Sequence, residues 1–309
     1  MATAALFGVH PSHAFTSVET SPEYADRPRL NVLKKAGVSR VSIGIQSFQD
    51  EELKAIKRRP RQNTIYQALD DIRQMDFPYF NIDLIYGIKG QTVESFLYSL
   101  EEALRFQPNE LFIYPLYVRQ GTGITEREPD DVCFRMYRAA CKLLQAKGFL
   151  QTSMRRFIHH PSTDAEVSCG DEVMLSCGSG GRSYLGDLHY ATRYTVCQQC
   201  IAREIDEYMA TTDFTVARNG FILSAKEQQQ RFIIKNLMYY MGIDKAEYTR
   251  RFGEPLDRTP LFRQLAEQYW IEETPERIRL TPEGLGYSDY IGQLFITPEI
   301  RQLMETYSY

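Results

Sequence analysis

Short β-branched, apolar runs alternate with amphipathic stretches across the first half of this 309-residue chain, and that alternation is its strongest constraint. Parallel neighbours cannot be joined by a tight turn, so strand–helix–strand order predicts right-handed crossovers and a parallel sheet. Ala14–Glu19 predicts a first strand. Residues 29–36 then place Leu30, Leu33 and Ala36 at helical spacing before Gly37. Val38–Gln46 predicts a second strand, with helices over about residues 50–57 and 63–75. Phe80–Tyr86 predicts a third, and Thr92 caps a helix running to Phe106 with Glu94 favourably placed in its first turn. Leu111–Val118 predicts a fourth strand, residues 129–147 a helix stopped by Gly148, and Leu150–Phe157 a fifth strand.

The pattern changes after Phe157. Residues 159–186 are rich in Ser, Gly and Cys without strong periodicity, which predicts a boundary between a first domain at 1–158 and a second at 159–309. In the second, residues 201–211, 225–241, 245–252 and 261–269 predict helices, Trp270–Leu280 a hairpin turning at Thr274–Glu276, and Pro282 the start of another helix. That order is winged-helix-like. Its candidate recognition stretch LFRQLAEQYW carries no Lys/Arg cluster, and Lys plus Arg total 36 against 40 for Asp plus Glu. No general attraction to nucleic acid or anionic lipid follows, so a packing role is expected. No apolar run reaches the roughly 18 residues of a membrane span, and a cytoplasmic protein with a small-molecule partner is expected.

In parallel α/β structures ligands sit at the carboxyl ends of strands. That rule selects Glu19, Gln46 and Asp83 from the first three strands, and Tyr114 with Arg119 from the fourth. An unpaired buried carboxylate is costly, so Asp83 in FNIDLIYG requires either a backbone partner or a ligand. Two carboxylates and an amide at successive strand ends supply the acceptors and donor that ribose hydroxyls need. The basic run Lys57-Arg58-Arg59-Pro60-Arg61 reads first as a solvated turn, though a guanidinium fork there would suit a carboxylate or phosphate.

The runs VETSP (18–22), GVSRVSIGIQSF (37–48), NIDLIYG (81–87) with QTVESF (91–96), and YPLY (114–117) resemble the oxygen-independent coproporphyrinogen III oxidase family of radical S-adenosylmethionine enzymes. The resemblance continues through residues 178–184 into the tail. It implies a partial (β/α)6 radical-SAM-type barrel missing its first units, with a C-terminal α+β winged-helix-like domain. It further implies S-adenosylmethionine contacts for Glu19, Gln46, Arg58 and Asp83, a 4Fe-4S cluster as the family's second cofactor, and a tetrapyrrole or related substrate.

One departure bears on activity. The family's CxxxCxxC triplet is absent: the cysteines are Cys133, Cys141, Cys169, Cys177, Cys197 and Cys200. The chain is therefore expected to start at about the third strand of the barrel and to be inactive by itself, because nothing delivers an electron to the sulfonium. Alternatives are a cluster-free nucleoside-, haem- or protein-binding relative, or association through an exposed first-strand edge. Cys197 and Cys200 have ligand spacing, with Cys169 and Cys177 as weak candidates to complete a metal site, while Cys133 and Cys141 read as small hydrophobes on a helix. Thiols or metal ligands are expected rather than disulfides. Among the histidines, His159, His160 and His189 stand out, and His189 follows the Gly-Ser-Gly-Gly-Arg-Ser-Tyr segment that lies near the active-site mouth in the family.

Overall fold

The structure is a computed structural model describing residue 8 and residues 14–58, 61–119, 121–159, 173–193, 195, 197–256 and 259–306. The chain divides into two compact units, Met1–Val118 with Glu126–Pro161, and Arg119–Thr125 with Ser162–Tyr309.

In the first unit β1 (Ser17–Thr20), β2 (Arg40–Gln46), β3 (Tyr79–Tyr86) and β4 (Glu110–Pro115) form consecutive parallel pairs. The helices between them are α1 (Arg27–Lys35), α2 (Asp50–Ala55) with α3 (Gln62–Met75), and α4 (Val93–Leu104); α5 (Asp130–Ala146) follows β4. Local signals explain where helices begin. The Asp26 side chain accepts from the Arg29 N–H at the start of α1, and Thr92 with Ser95 forms a reciprocal capping box on α4. The 150–157 run departs from the single parallel strand expected of it. It splits into β5 (Leu150–Gln151) and β6 (Arg156–Ile158), antiparallel to each other, with β6 antiparallel to β4. Ser153 Oγ accepts from the N–H groups of Arg155 and Arg156, which turns the chain where periodicity alone shows no break.

Alternation along each strand gives the sheet two unlike faces. Val41, Ile43 and Ile45 of β2, Phe80, Ile82 and Leu84 of β3, and Leu111 and Ile113 of β4 are buried on one. Helices α4 and α5 pack against β3. Each aliphatic side chain so buried contributes about 1.5–3 kcal/mol relative to exposure. The other face carries Ser17 and Glu19, then Arg40, Ser42 and Gly44, then Asn81 and Asp83, then Glu110, Phe112 and Tyr114.

The second unit opens with a four-stranded antiparallel sheet that the Gly/Ser-rich sequence did not announce. Its strands β7 (Val173–Met174), β8 (Arg182–Leu185), β9 (Leu188–Ala191) and β10 (Gly220–Ile222) lie in the order β10-β9-β8-β7, with α6 (Gln198–Ala210) between β9 and β10 in sequence. The tail then runs α7 (Ala225–Leu237), β11 (Ile243–Asp244), α8 (Lys245–Phe252), α9 (Pro260–Glu267), β12 (Ile271–Glu273) and β13 (Arg277–Leu280). Its sheet order is β11-β13-β12, a winged-helix arrangement around Phe232, Leu237, Ile243, Phe262 and Ile278. Short helices α10 (Pro282–Gly286), α11 (Ser288–Leu294) and α12 (Pro298–Thr306) follow. No helix among the described residues is long and apolar enough to cross a membrane.

Candidate functional site

The polar sheet face is organised by hydrogen bonds and charge. Glu110, 3% exposed, opens β4 and accepts from Arg40 Nε at 2.6 Å and from Arg156 Nη2. Arg40 also reaches Ser17 Oγ at 3.0 Å and lies over the Phe112 ring. Level with Glu110 and one step further along β3, Asn81 Nδ2 donates to both Ser42 Oγ and Asp83 Oδ1 at 2.7 Å, and Ser42 Oγ donates to Asp83 Oδ2 at 3.4 Å. Buried Asn81 Oδ1 has no hydrogen-bond partner.

Asp83 is half-buried, and burial pushes its carboxyl up to about 6. Asn81, Arg40 and Ser42 oppose that rise, while Glu19 adds to it. Glu19 is exposed on β1, opposite Ser42 of β2. Tyr114 stacks on Phe112 at 5.7 Å, and its phenol is raised first by burial and then by Asp83. Gln46 ends β2 with φ +72° just after a bulge at Gly44–Gln46. A Cβ on Gly44 would stand 2.5 Å from Gln46 Nε2, so a residue without a side chain at 44 is what lets the Gln46 amide fold back over the strand.

Glu19, Gln46 and Asp83 therefore belong to one polar face. Arg58 is different: it is exposed beyond α2, and its backbone N–H donates to Leu53 O at 2.8 Å. Arg119 falls in the second unit. Sequence reasoning missed Arg40, Ser42, Asn81, Glu110 and Arg156. For the first four the signal was the period-2 alternation of RVSIGIQ, NID and ELFIY, in which every second residue can face a lumen.

A buried network fixes the loops above this face. Glu52, 5% exposed, accepts from Ser47 Oγ at 2.6 Å, Ser95 Oγ at 2.5 Å and Gln91 Nε2 at 2.9 Å. Gln91 in turn accepts from the Gly87 N–H and donates to Ile85 O. The hydrophilic residues of IQSF and QTVES thus tie the β2 and β3 exits together through α2 and α4.

The remaining candidates separate. Among the described residues no three Cys, His, Asp or Glu side chains come together as a metal-ligand group. Cys197 and Cys200 are joined as a disulfide, which corrects the expectation of thiols or metal ligands there. Cys177 is exposed and carries no disulfide; Cys169 and His160 lie outside the described residues. Cys133 is buried and Cys141 half-buried on α5. His159 helps line a cavity of about 470 Å³ with Leu104, Pro108 and Phe149, beside the segments that enter β4 and β5 rather than at the strand ends. His189 stacks on Tyr184 at 4.3 Å, and burial with nearby Arg231 and Arg182 holds its imidazole below the usual range.

Comparison with known proteins matches residues 3–103 to the radical SAM superfamily and residues 223–286 to the HemN C-terminal domain. The heme chaperone HemW of Bacillus subtilis is 26% identical over 295 residues, covering 90% of this chain and 76% of the relative. The oxygen-independent coproporphyrinogen III oxidase of Thermostichus vulcanus is 25% identical, covering 87% and 89%. The solved structure of coproporphyrinogen III oxidase (HemN) from Escherichia coli superposes with a TM-score of 0.73 at 21% identity, over 93% of this chain and 70% of that one, and so shares its fold. With both domain types matched in order, the chain carries radical SAM and HemN C-terminal domains and is homologous to oxygen-independent coproporphyrinogen III oxidase and HemW.

Proposed function

We propose that the polar face of the barrel sheet binds the adenosyl part of S-adenosylmethionine, in a protein whose further partner is a tetrapyrrole or related small molecule. The observation that carries this reading is the convergence of Glu19, Gln46 and Asp83 on one face of parallel strands, with Asn81 Oδ1 buried and unpartnered beside them. Asp83 and Glu19 would accept from the ribose hydroxyls and Gln46 Nε2 would donate, the set a cis-diol requires. Arg58 would meet the ligand carboxylate as a guanidinium fork. Its place outside that face makes it the least supported of the four. Bound S-adenosylmethionine would supply an activated sulfonium for one-electron or methyl-transfer chemistry. The chain's own contribution would be to hold the sugar, exclude water and keep Asp83 ionised above about pH 6.

A 4Fe-4S cluster does not fit the residues present. Three thiolates are needed close together, whereas the six cysteines contain no CxxxCxxC and, among the described residues, no three ligand side chains come together. No step is therefore routed through a cluster, and these 309 residues are read as a nucleoside-binding barrel without its own electron donor. A second reading, a haem- or protein-binding relative, is favoured by the match to HemW along 90% of the chain.

Binding of S-adenosylmethionine and of S-adenosylhomocysteine, followed by calorimetry at pH 7.5, tests the proposal. Asp83→Asn, which keeps the shape but loses an anionic acceptor, should weaken both ligands at least tenfold, and Arg58→Ala should weaken S-adenosylmethionine less. Equal affinity in wild type and Asp83→Asn would refute it. Haem binding without adenosyl binding would support the second reading.

A further inference from the structure

The paired cysteines belong to the second unit, and their surroundings are specific. Cys197 is the N-cap of the thirteen-residue α6, and its Sγ accepts from the Cys200 N–H at 3.0 Å. Both residues are half-buried, so neither sulfur is sealed in a core. Gly121, of the same compact unit, lies directly against Cys197: with φ +88°, a Cβ there would stand 3.1 Å from Cys197 Cβ. No residue of α6 is buried, so the helix is not held by a packed apolar stripe. Its N-terminal turn matters correspondingly more, and Arg193, ahead of the helix, pairs at 3.7 Å with Glu204 further along it.

We propose that Cys197 and Cys200 form a reversible thiol–disulfide exchange site whose reaction partner is a dithiol. A thiolate of the dithiol attacks Cys200 Sγ; the S–S bond breaks and Cys197 leaves as a thiolate, held by the Cys200 N–H and the positive end of α6. The dithiol's second thiolate then attacks its own sulfur in the mixed disulfide, closing the dithiol into a disulfide and expelling Cys200 as a thiolate. Two electrons and two protons pass from the dithiol, which is oxidised, to the cysteine pair, which is reduced. The reverse sequence regenerates the disulfide from any partner disulfide of higher potential. Stabilising the Cys197 thiolate in this way favours the reduced pair and makes its disulfide the more oxidising one.

The cysteines of α5 offer a contrast. Burial raises the Cys133 thiol and pushes Cys141 up to about 11, and neither lies in a disulfide. They should stay inert while the α6 pair exchanges.

The test equilibrates the intact 309-residue chain over a series of reduced-to-oxidised dithiothreitol ratios, traps thiols by acid quench and alkylation, and reads each cysteine by peptide mass spectrometry. Alkylation of Cys197 and Cys200 should rise together from one-tenth to nine-tenths over roughly a hundredfold change in the ratio, as for a single two-electron couple, with Cys133 and Cys141 unmoved. In Cys200→Ser the remaining Cys197 should alkylate at least tenfold faster at pH 7 than Cys200 does in Cys197→Ser. The proposal is overturned if the pair stays fully alkylated at every ratio, stays fully protected at the most reducing ratio, or maps to crosslinks with Cys169 or Cys177 instead. The wild-type titration decides the matter even if a variant does not fold.

Discussion

Asp83 concentrates the residue-scale argument, because burial raises its carboxyl to about 6 while three neighbours pull the other way. A carboxyl raised in the folded state holds its proton there more tightly than in the unfolded chain. It therefore contributes stability that is complete below about pH 4 and lost as pH rises through about 6. Asp83→Asn should remove that dependence, so wild type should lose on the order of 1–3 kcal/mol relative to the variant between pH 4 and pH 7, read from urea midpoints. An unchanged difference at both pH values would contradict the assignment. Glu110 makes a separate prediction: Glu110→Ala removes the carboxylate that Arg40 and Arg156 share, each 14% exposed at the side chain, and should cost about 3–5 kcal/mol. Asp83 was legible because a carboxylate in an apolar strand demands a reason. Glu110 was not, since it sits where β4 starts and its partners lie 70 and 46 residues away.

Elements were legible where local rules act. The Thr92 cap on α4 and the Thr274–Glu276 turn of the hairpin follow from residue types, and Thr92→Ala should cost about 1 kcal/mol in thermal unfolding. The bulge that aims Gln46 was hidden, because strand periodicity places residues on faces but does not reveal an extra residue. The division of residues 150–157 depends on Ser153 capturing two backbone N–H groups. Similarly, the motifs around Ser47 and Gln91 entered only as carriers of the family resemblance, yet their side chains hold the β2 and β3 exits through Glu52. Glu52→Ala would leave three donors without their shared acceptor and should lower stability by about 2–4 kcal/mol in denaturant titrations. A loss below 0.5 kcal/mol would mean that the network does not hold these loops.

For the whole molecule, the α/β order predicted the parallel sheet and the winged-helix-like tail, because both depend on patterns repeated over many residues. The β7–β10 sheet escaped notice because its strands are only two to four residues long, set among Gly and Ser. What the whole chain does turns on the two linked proposals that the polar face takes an adenosyl ligand and that these 309 residues do not ligate a cluster. The direct measurement is anaerobic iron and sulfide reconstitution, assayed for iron, followed by calorimetric titration of S-adenosylmethionine into wild type and Asp83→Asn. The expected result is iron well below one cluster per chain, with S-adenosylmethionine binding weakened at least tenfold by the substitution. A stoichiometric, cysteine-dependent cluster, or an affinity indifferent to Asp83→Asn, would contradict the account.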